Sequence, residues 1–151
     1  MNNELEIAIE VALVKAIELI KQFEGCRLES YLCPAGMWTI GYGTTDGVKQ
    51  GMKISQEHAE ELLIKDCQMF YSGVIKHSGG ICNEKQVGAL VSFVYNVGVK
   101  AFEESTLLKV IKKKPNDAQI KNELMRWVFV NGKVMRGLER RRKAEAELYF
   151  S

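Results

Sequence analysis

The sequence predicts an α+β protein in which a small antiparallel β-hairpin lobe is joined by one long helix to a mainly helical lobe. Two short strand-like runs, Arg27 to Leu32 and Met37 to Tyr42, flank Pro34-Ala35-Gly36. In such a turn proline fixes the first corner and glycine relieves the exit. From Ser55 to about Lys76 apolar residues recur at helical spacing, with no proline and no glycine before Gly73. Beyond Asn83, caps and apolar stripes alternate with short breaks, which completes a tally of one small sheet and about six to eight helices. At 151 residues and 46% hydrophobic, the chain suits a single domain over 1–151. Its two lobes are 24–55 (hairpin) and 1–23 with 80–151 (helical), joined by 55–79.

Leu5 to Ile20 is apolar, but Glu6, Glu10, Lys15 and Glu18 interrupt it, so neither a signal peptide nor a membrane span fits. It reads as an amphipathic helix packed on the second lobe. Gly25 suits the left-handed residue that closes a helix, which puts Glu24 in the last turn. There the negative end of the helix dipole raises a carboxyl pKa, the direction a general acid needs. In the second strand Trp38, Ile40 and Tyr42 share one face. Thr39 shares the other with Gly41 and Gly43, whose small size lets a ligand approach. Cys33 and Thr39 flank the turn, so a helix end and a hairpin bring an acid, a thiol and a hydroxyl to one cleft.

A third strand is expected near Val48 to Ile54. Ser55 then caps the long helix, whose stripe is Ala59, Leu62, Leu63, Cys67, Phe70 and Val74, and Ser78-Gly79-Gly80 ends it. Cys67 on that stripe reads as a small core residue. Asn83 and Gln86 form a capping box ahead of Val87, Leu90, Val91 and Val94, and Asn96-Val97-Gly98 closes the helix. Asn96 reads there as a helix-end residue satisfying backbone groups. Ser105 or Thr106 caps a short helix that runs into Lys112-Lys113-Lys114 and stops at Pro115. Asn116 with Gln119 repeats the capping signature and starts a helix through Trp127, a core residue. Asn131-Gly132 marks a tight turn, and Gly137 precedes a final helix to about Phe150.

A net charge of +2 is too mild to argue for nucleic acid. Between Lys133 and Lys143, six basic residues face one acid, Glu139. A solvated helix face accounts for most of them, and contact with a polyanion is the functional alternative. Cys26, Cys33, Cys67 and Cys82 form no CxxC pair and have no metal-ligand spacing with His58 or His77, so a reduced, metal-free chain is expected.

Glu24, Cys33 and Thr39, set in FEGCRLESYLCPAGMWTIGYGTT, resemble the Glu, Asp-or-Cys, Thr motif of phage-type lysozymes, glycoside hydrolase family 24. ALVSFVYNVGVKAFEESTLLKVI and RWVFVNGKVMRGLERRRKAEAELY resemble later segments of the lambdoid-phage branch. The resemblance runs from about Glu18 to Tyr149 with its blocks in the family's order. Two departures stand out: many members have Asp at the position of Cys33 and His at that of Thr44. A bridge from Cys26 to Cys33 would consume the motif thiol and is not expected of a chain made in the cytoplasm.

The resemblance implies a lysozyme-like fold and an endolysin-like muramidase that needs no cofactor. It would cut the β-1,4 bond between N-acetylmuramic acid and N-acetylglucosamine in peptidoglycan. Glu24 would be the general acid, and Cys33 and Thr39 would support attack by water or by the thiol itself. Tyr42, Asn96 and Arg136 are the implied substrate-binding residues. A free thiol has a pKa of about 8.5, so Cys33 needs a local field to ionise near neutrality. Also implied are a monomer without stable membrane insertion or nucleic acid, made in the cytoplasm without a signal peptide, and a holin or other lysis factor for access to the wall. The alternative is a lysozyme-fold wall-binding protein weakened by Cys33. A cysteine hydrolase pairing Cys33 with His58 or His77 ranks last.

Overall fold

The computed structural model describes residues 2–151. In the hairpin lobe β1 (Arg27–Leu32) pairs antiparallel with β2 (Trp38–Gly41), Leu32 opposite Trp38 and Tyr31 opposite Thr39. The turn is closed by Gly36 N donating to Cys33 O at 2.8 Å and Cys33 N to Met37 O at 3.0 Å. Gly36 has φ +80°, the conformation glycine adopts without a steric penalty. The expected third strand does not form as a regular element. Ser30 N donates to Met52 O and Ile54 N to Leu28 O, each at 2.9 Å, yet Glu29 and Lys53 make only an isolated bridge. Gly47 and Gly51, at φ +70° and +75°, bend this segment out of an extended path.

Helix α2 (Gln56–Ser78) runs unbroken from the hairpin to the helical lobe. Ser55 Oγ accepts from His58 N at 3.1 Å at its start, and Gly79 closes it at φ +74°. Ala59, Leu63, Cys67 and Val74 are buried, and burial pushes the Cys67 thiol up to about 12, as suits an inert core residue. Gly73 breaks the propensity but not the helix. A Cβ there would stand 3.3 Å from Val99 Cγ2, so its bareness lets α4 (Val99–Glu103) approach.

Helix α1 (Asn3–Phe23) buries Ala12, Ala16, Leu19 and Ile20 and lies chiefly across α3 (Glu84–Val97) in the helical lobe. The contact is tightest at Gly88, where a Cβ would meet Ala12 O at 3.0 Å and Lys15 Cβ at 3.1 Å. Gly88→Val should therefore lose about 1–3 kcal/mol through overpacking. A thermal midpoint at or above wild type would mean that the two helices part without cost.

Helix α3 is the centre of the lobe, buried continuously from Gln86 to Val94, and both halves of its Asn83–Gln86 capping box are present. Gln86 does more than cap, since its Nε2 donates to Asn116 Oδ1 at 2.8 Å. That commits the Asn116 side chain, and the following helix starts after Ala118 without a side-chain cap, Asp117 Oδ1 accepting from Gln119 N at 2.9 Å just ahead of it. The helix itself, α6 (Gln119–Leu124), ends three residues before Trp127. Trp127 is half-buried and packs edge-on against Phe93, with ring centroids 5.5 Å apart. The cap of α5 (Thr106–Lys113) is Ser105, whose Oγ accepts from Leu108 N at 3.0 Å.

Asn131 and Gly132, at φ +51° and +77°, form more than a turn. They join β3 (Phe129–Val130) to β4 (Lys133–Val134), an antiparallel pair that makes a second sheet where only one was expected. Two positive φ values in an Asn-Gly pair match the twist of a tight hairpin. The last helix, α7 (Arg136–Tyr149), contains Gly137 in its first turn instead of following it. Lys133, Arg136, Arg140 and Lys143 are exposed, as a solvated face for most of the six basic residues requires, while Arg141 and Arg142 on α7 are buried.

Candidate active site

The chain leaves α1 at Glu24 itself. Its N–H completes the helix by donating to Ile20 O at 2.8 Å, but its own backbone is extended, at φ −97° and ψ 133°. Gly25 therefore does not take the expected left-handed role, and Glu24 sits just past the last turn. The Glu24 side chain, 30% exposed, meets Arg141, which is 3% exposed, with Nη1 donating to Oε1 at 2.8 Å. A buried guanidinium, not the helix end, is thus the charge that faces this carboxylate.

Arg141 is itself held from three sides. Nη2 donates to Ser92 O at 3.0 Å, Nε to Glu145 Oε2 at 3.4 Å, and Nη1 points out to Glu24. Glu145 is fully buried; it accepts from Ser92 Oγ at 2.7 Å and pairs with Arg142 Nε at 2.9 Å. Burial pulls Arg142 down to about 10, which leaves it charged at neutral pH.

Glu24 and Arg141 line a cavity of about 360 Å³ with Phe23, Asn96, Val130, Met135, Gly137 and Leu138. A second cavity of about 600 Å³ is bordered by Ala35, Met37, Gly43, Asp46, Asp66, Tyr95 and Asn96, among others. Asn96 borders both, so the two spaces, together called the trough below, adjoin at that residue: the first lies against the end of α1, α3 and α7, the second between the β1–β2 turn, α2 and the end of α3. Asn96 does not cap α3, because Gly98 N closes that helix on Val94 O at 2.8 Å. Its Oδ1 instead accepts from Arg142 Nη2 at 2.6 Å, and the residue remains exposed.

Cys33 and Thr39 come together across the mouth of the β1–β2 turn. Hydrogen bonds from the backbone at Met37 and from the Thr39 hydroxyl hold the Cys33 thiol below its ordinary range, against a smaller opposing effect of desolvation. The Thr39 proton can serve either the thiolate or Met37 O, which lies 3.0 Å away. Neither residue lines the two cavities, although Ala35 and Met37 from the same turn do.

Tyr42 lies elsewhere. It is 8% exposed, donates its hydroxyl to Glu60 at 3.0 Å, accepts from Gln56 at 3.0 Å, and lines neither cavity. Arg136 is exposed at the start of α7, between cavity residues Met135 and Gly137, without lining the space itself. Thr44 donates to Asp66 Oδ2 at 2.7 Å, and burial pushes the Asp66 carboxyl up.

Sequence reasoning missed Arg141, Arg142 and Glu145 as a unit. The signal was their spacing: two arginines three and four residues before a glutamate share a helix face. It also missed the β3–β4 hairpin as a wall of the trough, although Asn-Gly between short apolar runs is a strong hairpin signal.

The fold is a small hairpin lobe joined by one long helix to a helical lobe, with the Glu24 carboxylate lining a cavity at the end of α1. Residues 21–145 match the sequence model of the phage lysozyme family, and the chain belongs to that family. It is 38% identical over 141 residues to the endolysin of Acyrthosiphon pisum secondary endosymbiont phage 1, covering 91% of this chain and 96% of that one. The endolysin of Bacillus phage B103 is 41% identical over 138 residues, 89% of this chain, but the chain spans only about half (52%) of its length. Among solved structures, the muramidase domain of SpmX from Asticaccaulis excentricus superposes with a TM-score of 0.82 at 32% identity, covering 90% of this chain and 95% of that one. The endolysin from Escherichia coli O157:H7 phage FAHEc1 gives 0.78 at 39% identity, covering 91% of each chain.

Proposed function

We propose that the protein is an endolysin that hydrolyses the β-1,4 bond between N-acetylmuramic acid and N-acetylglucosamine in peptidoglycan, with Glu24 as general acid. The observation that carries this reading is the Glu24 carboxylate on the wall of the trough, anchored by buried Arg141 at 2.8 Å. As the C1–O bond breaks, Glu24 passes its proton to the leaving oxygen, and positive charge develops on the ring. The carboxylate left behind is received by the Arg141 guanidinium already in place, which needs no reorganisation at that moment.

Attack on C1 falls to the hairpin side. The Cys33 thiolate, favoured by its hydrogen bonds at Met37 and Thr39, takes the proton of an attacking water or attacks C1 directly. Thr39 orients the thiolate and the water with its one proton and its lone pairs. Asn96, at the junction of the two cavities, offers an amide to a sugar, and Arg136 stands at the rim. In this reading the protein acts as a monomer, is made in the cytoplasm, and reaches the wall through a holin or another lysis factor.

Incubation of the purified protein with peptidoglycan tests the bond assignment. New reducing muramic acid ends are expected. Reducing glucosamine ends, anhydro sugars or new amino groups would each assign a different bond, and no release at all would favour a wall-binding protein.

A further inference from the structure

Behind the acid lies a buried cluster that joins two parts of the trough. Glu145 is 0% exposed and meets both arginines that reach out to it. Oε2 takes Arg141 Nε at 3.4 Å and the Ser92 hydroxyl at 2.7 Å, while Oε1 faces Arg142 Nε at 2.9 Å. Arg141 continues to Glu24 at 2.8 Å. Arg142, lying over the Phe93 ring at 4.9 Å, continues to Asn96 at 2.6 Å. One carboxylate in the core thus stands behind two residues of the trough, on α1's end and on α3's last turn.

We infer that Glu145 is a positioning residue for the reaction: it holds Arg141 on Glu24 and Arg142 on Asn96, so that the acid and the amide across the trough are aimed by a single buried charge. This rests on the reading of Glu24 as the acid. Without Glu145, two guanidiniums sit in the core with no anion between them. They then turn toward whatever acceptors remain, and Glu24 and Asn96 lose their shared reference. A long side chain held by packing and hydrogen bonds behind a catalytic group is what fixes that group within productive geometry.

Charge gives the inference a readout that packing alone lacks. The groups that face Glu24 are Arg141 from α7 and, at longer range, Tyr95 from α3, which burial keeps neutral. Removing the negative charge of Glu145 leaves Arg141 uncompensated beside Glu24 and favours the ionised acid. In Glu145→Gln whichever limb of the pH profile of kcat/KM reports Glu24 should move to lower pH, and kcat should drop about tenfold to a hundredfold. Ser92→Ala removes one hydrogen bond that aims Glu145 and keeps every charge. It should fold like wild type and lose several-fold in kcat with the limb in place. Glu24→Gln is measured alongside.

An active Glu24→Gln would overturn the acid reading and this inference with it. If Glu24→Gln is inactive while Ser92→Ala keeps wild-type kcat, Glu145 does not position the acid and the inference alone falls. It falls equally if folded Glu145→Gln keeps wild-type kcat or an unmoved limb. Should Glu145→Gln not fold, Ser92→Ala decides by itself.

Discussion

Glu24→Gln should lose at least about a hundredfold in kcat, the smallest contribution usual for a positioned acid, and keep the wild-type fold. The amide is close in shape to the acid, and its oxygen can still accept from Arg141 Nη1, now 2.8 Å from Oε1. What it cannot do is deliver a proton to a leaving oxygen. Arg141 keeps Glu145 and the Ser92 carbonyl as partners, so a collapse of the site is not expected. Binding to intact peptidoglycan should persist, because the walls of the trough are unchanged. Activity within about tenfold of wild type would remove Glu24 from the mechanism.

Cys33 carries the second large effect. Cys33→Ala and Cys33→Ser should lose most of the activity, whereas Cys33→Asp should retain a substantial part, since a carboxylate can support water or attack C1 in the same place. The pH dependence follows from the direction of the thiol's shift. Hydrogen bonds at Met37 and Thr39 lower the Cys33 pKa from the ordinary thiol range, so the thiolate forms at lower pH than in a free thiol. Activity should therefore rise with pH through an apparent pKa below that of a free thiol in the wild type. In Cys33→Asp that limb should move into the acid range. Alkylation should inactivate the wild type and spare Cys33→Asp, with Cys26, Cys67 and Cys82 as internal controls because all four thiols are free. Full activity in Cys33→Ala would reduce Cys33 to a packing residue and leave Glu24 with a water held by Thr39.

The sequence by itself determined what depends on neighbours along the chain. The β1–β2 turn, the unbroken α2, the Ser55 and Ser105 caps and the Asn83–Gln86 capping box follow from turn chemistry and helical periodicity, whose partners lie within a few residues. The motif spacing also carried the family. Tertiary structure decided the rest. Asn116 spends its side chain on Gln86, 30 residues away, so a local capping pattern failed. Tyr42, expected in the second strand, falls in the turn after it, where Gly41 has φ +64°, and packs against α2 through Glu60 and Gln56. The charge facing Glu24 comes from Arg141, 117 residues further on. Composition marked α7 as a solvated basic helix because charged side chains are rarely buried without partners. The partners exist, but Ser92, Asn96 and Glu24 come from other elements, and only the packing of α7 against α3 and the end of α1 brings them within hydrogen-bond reach.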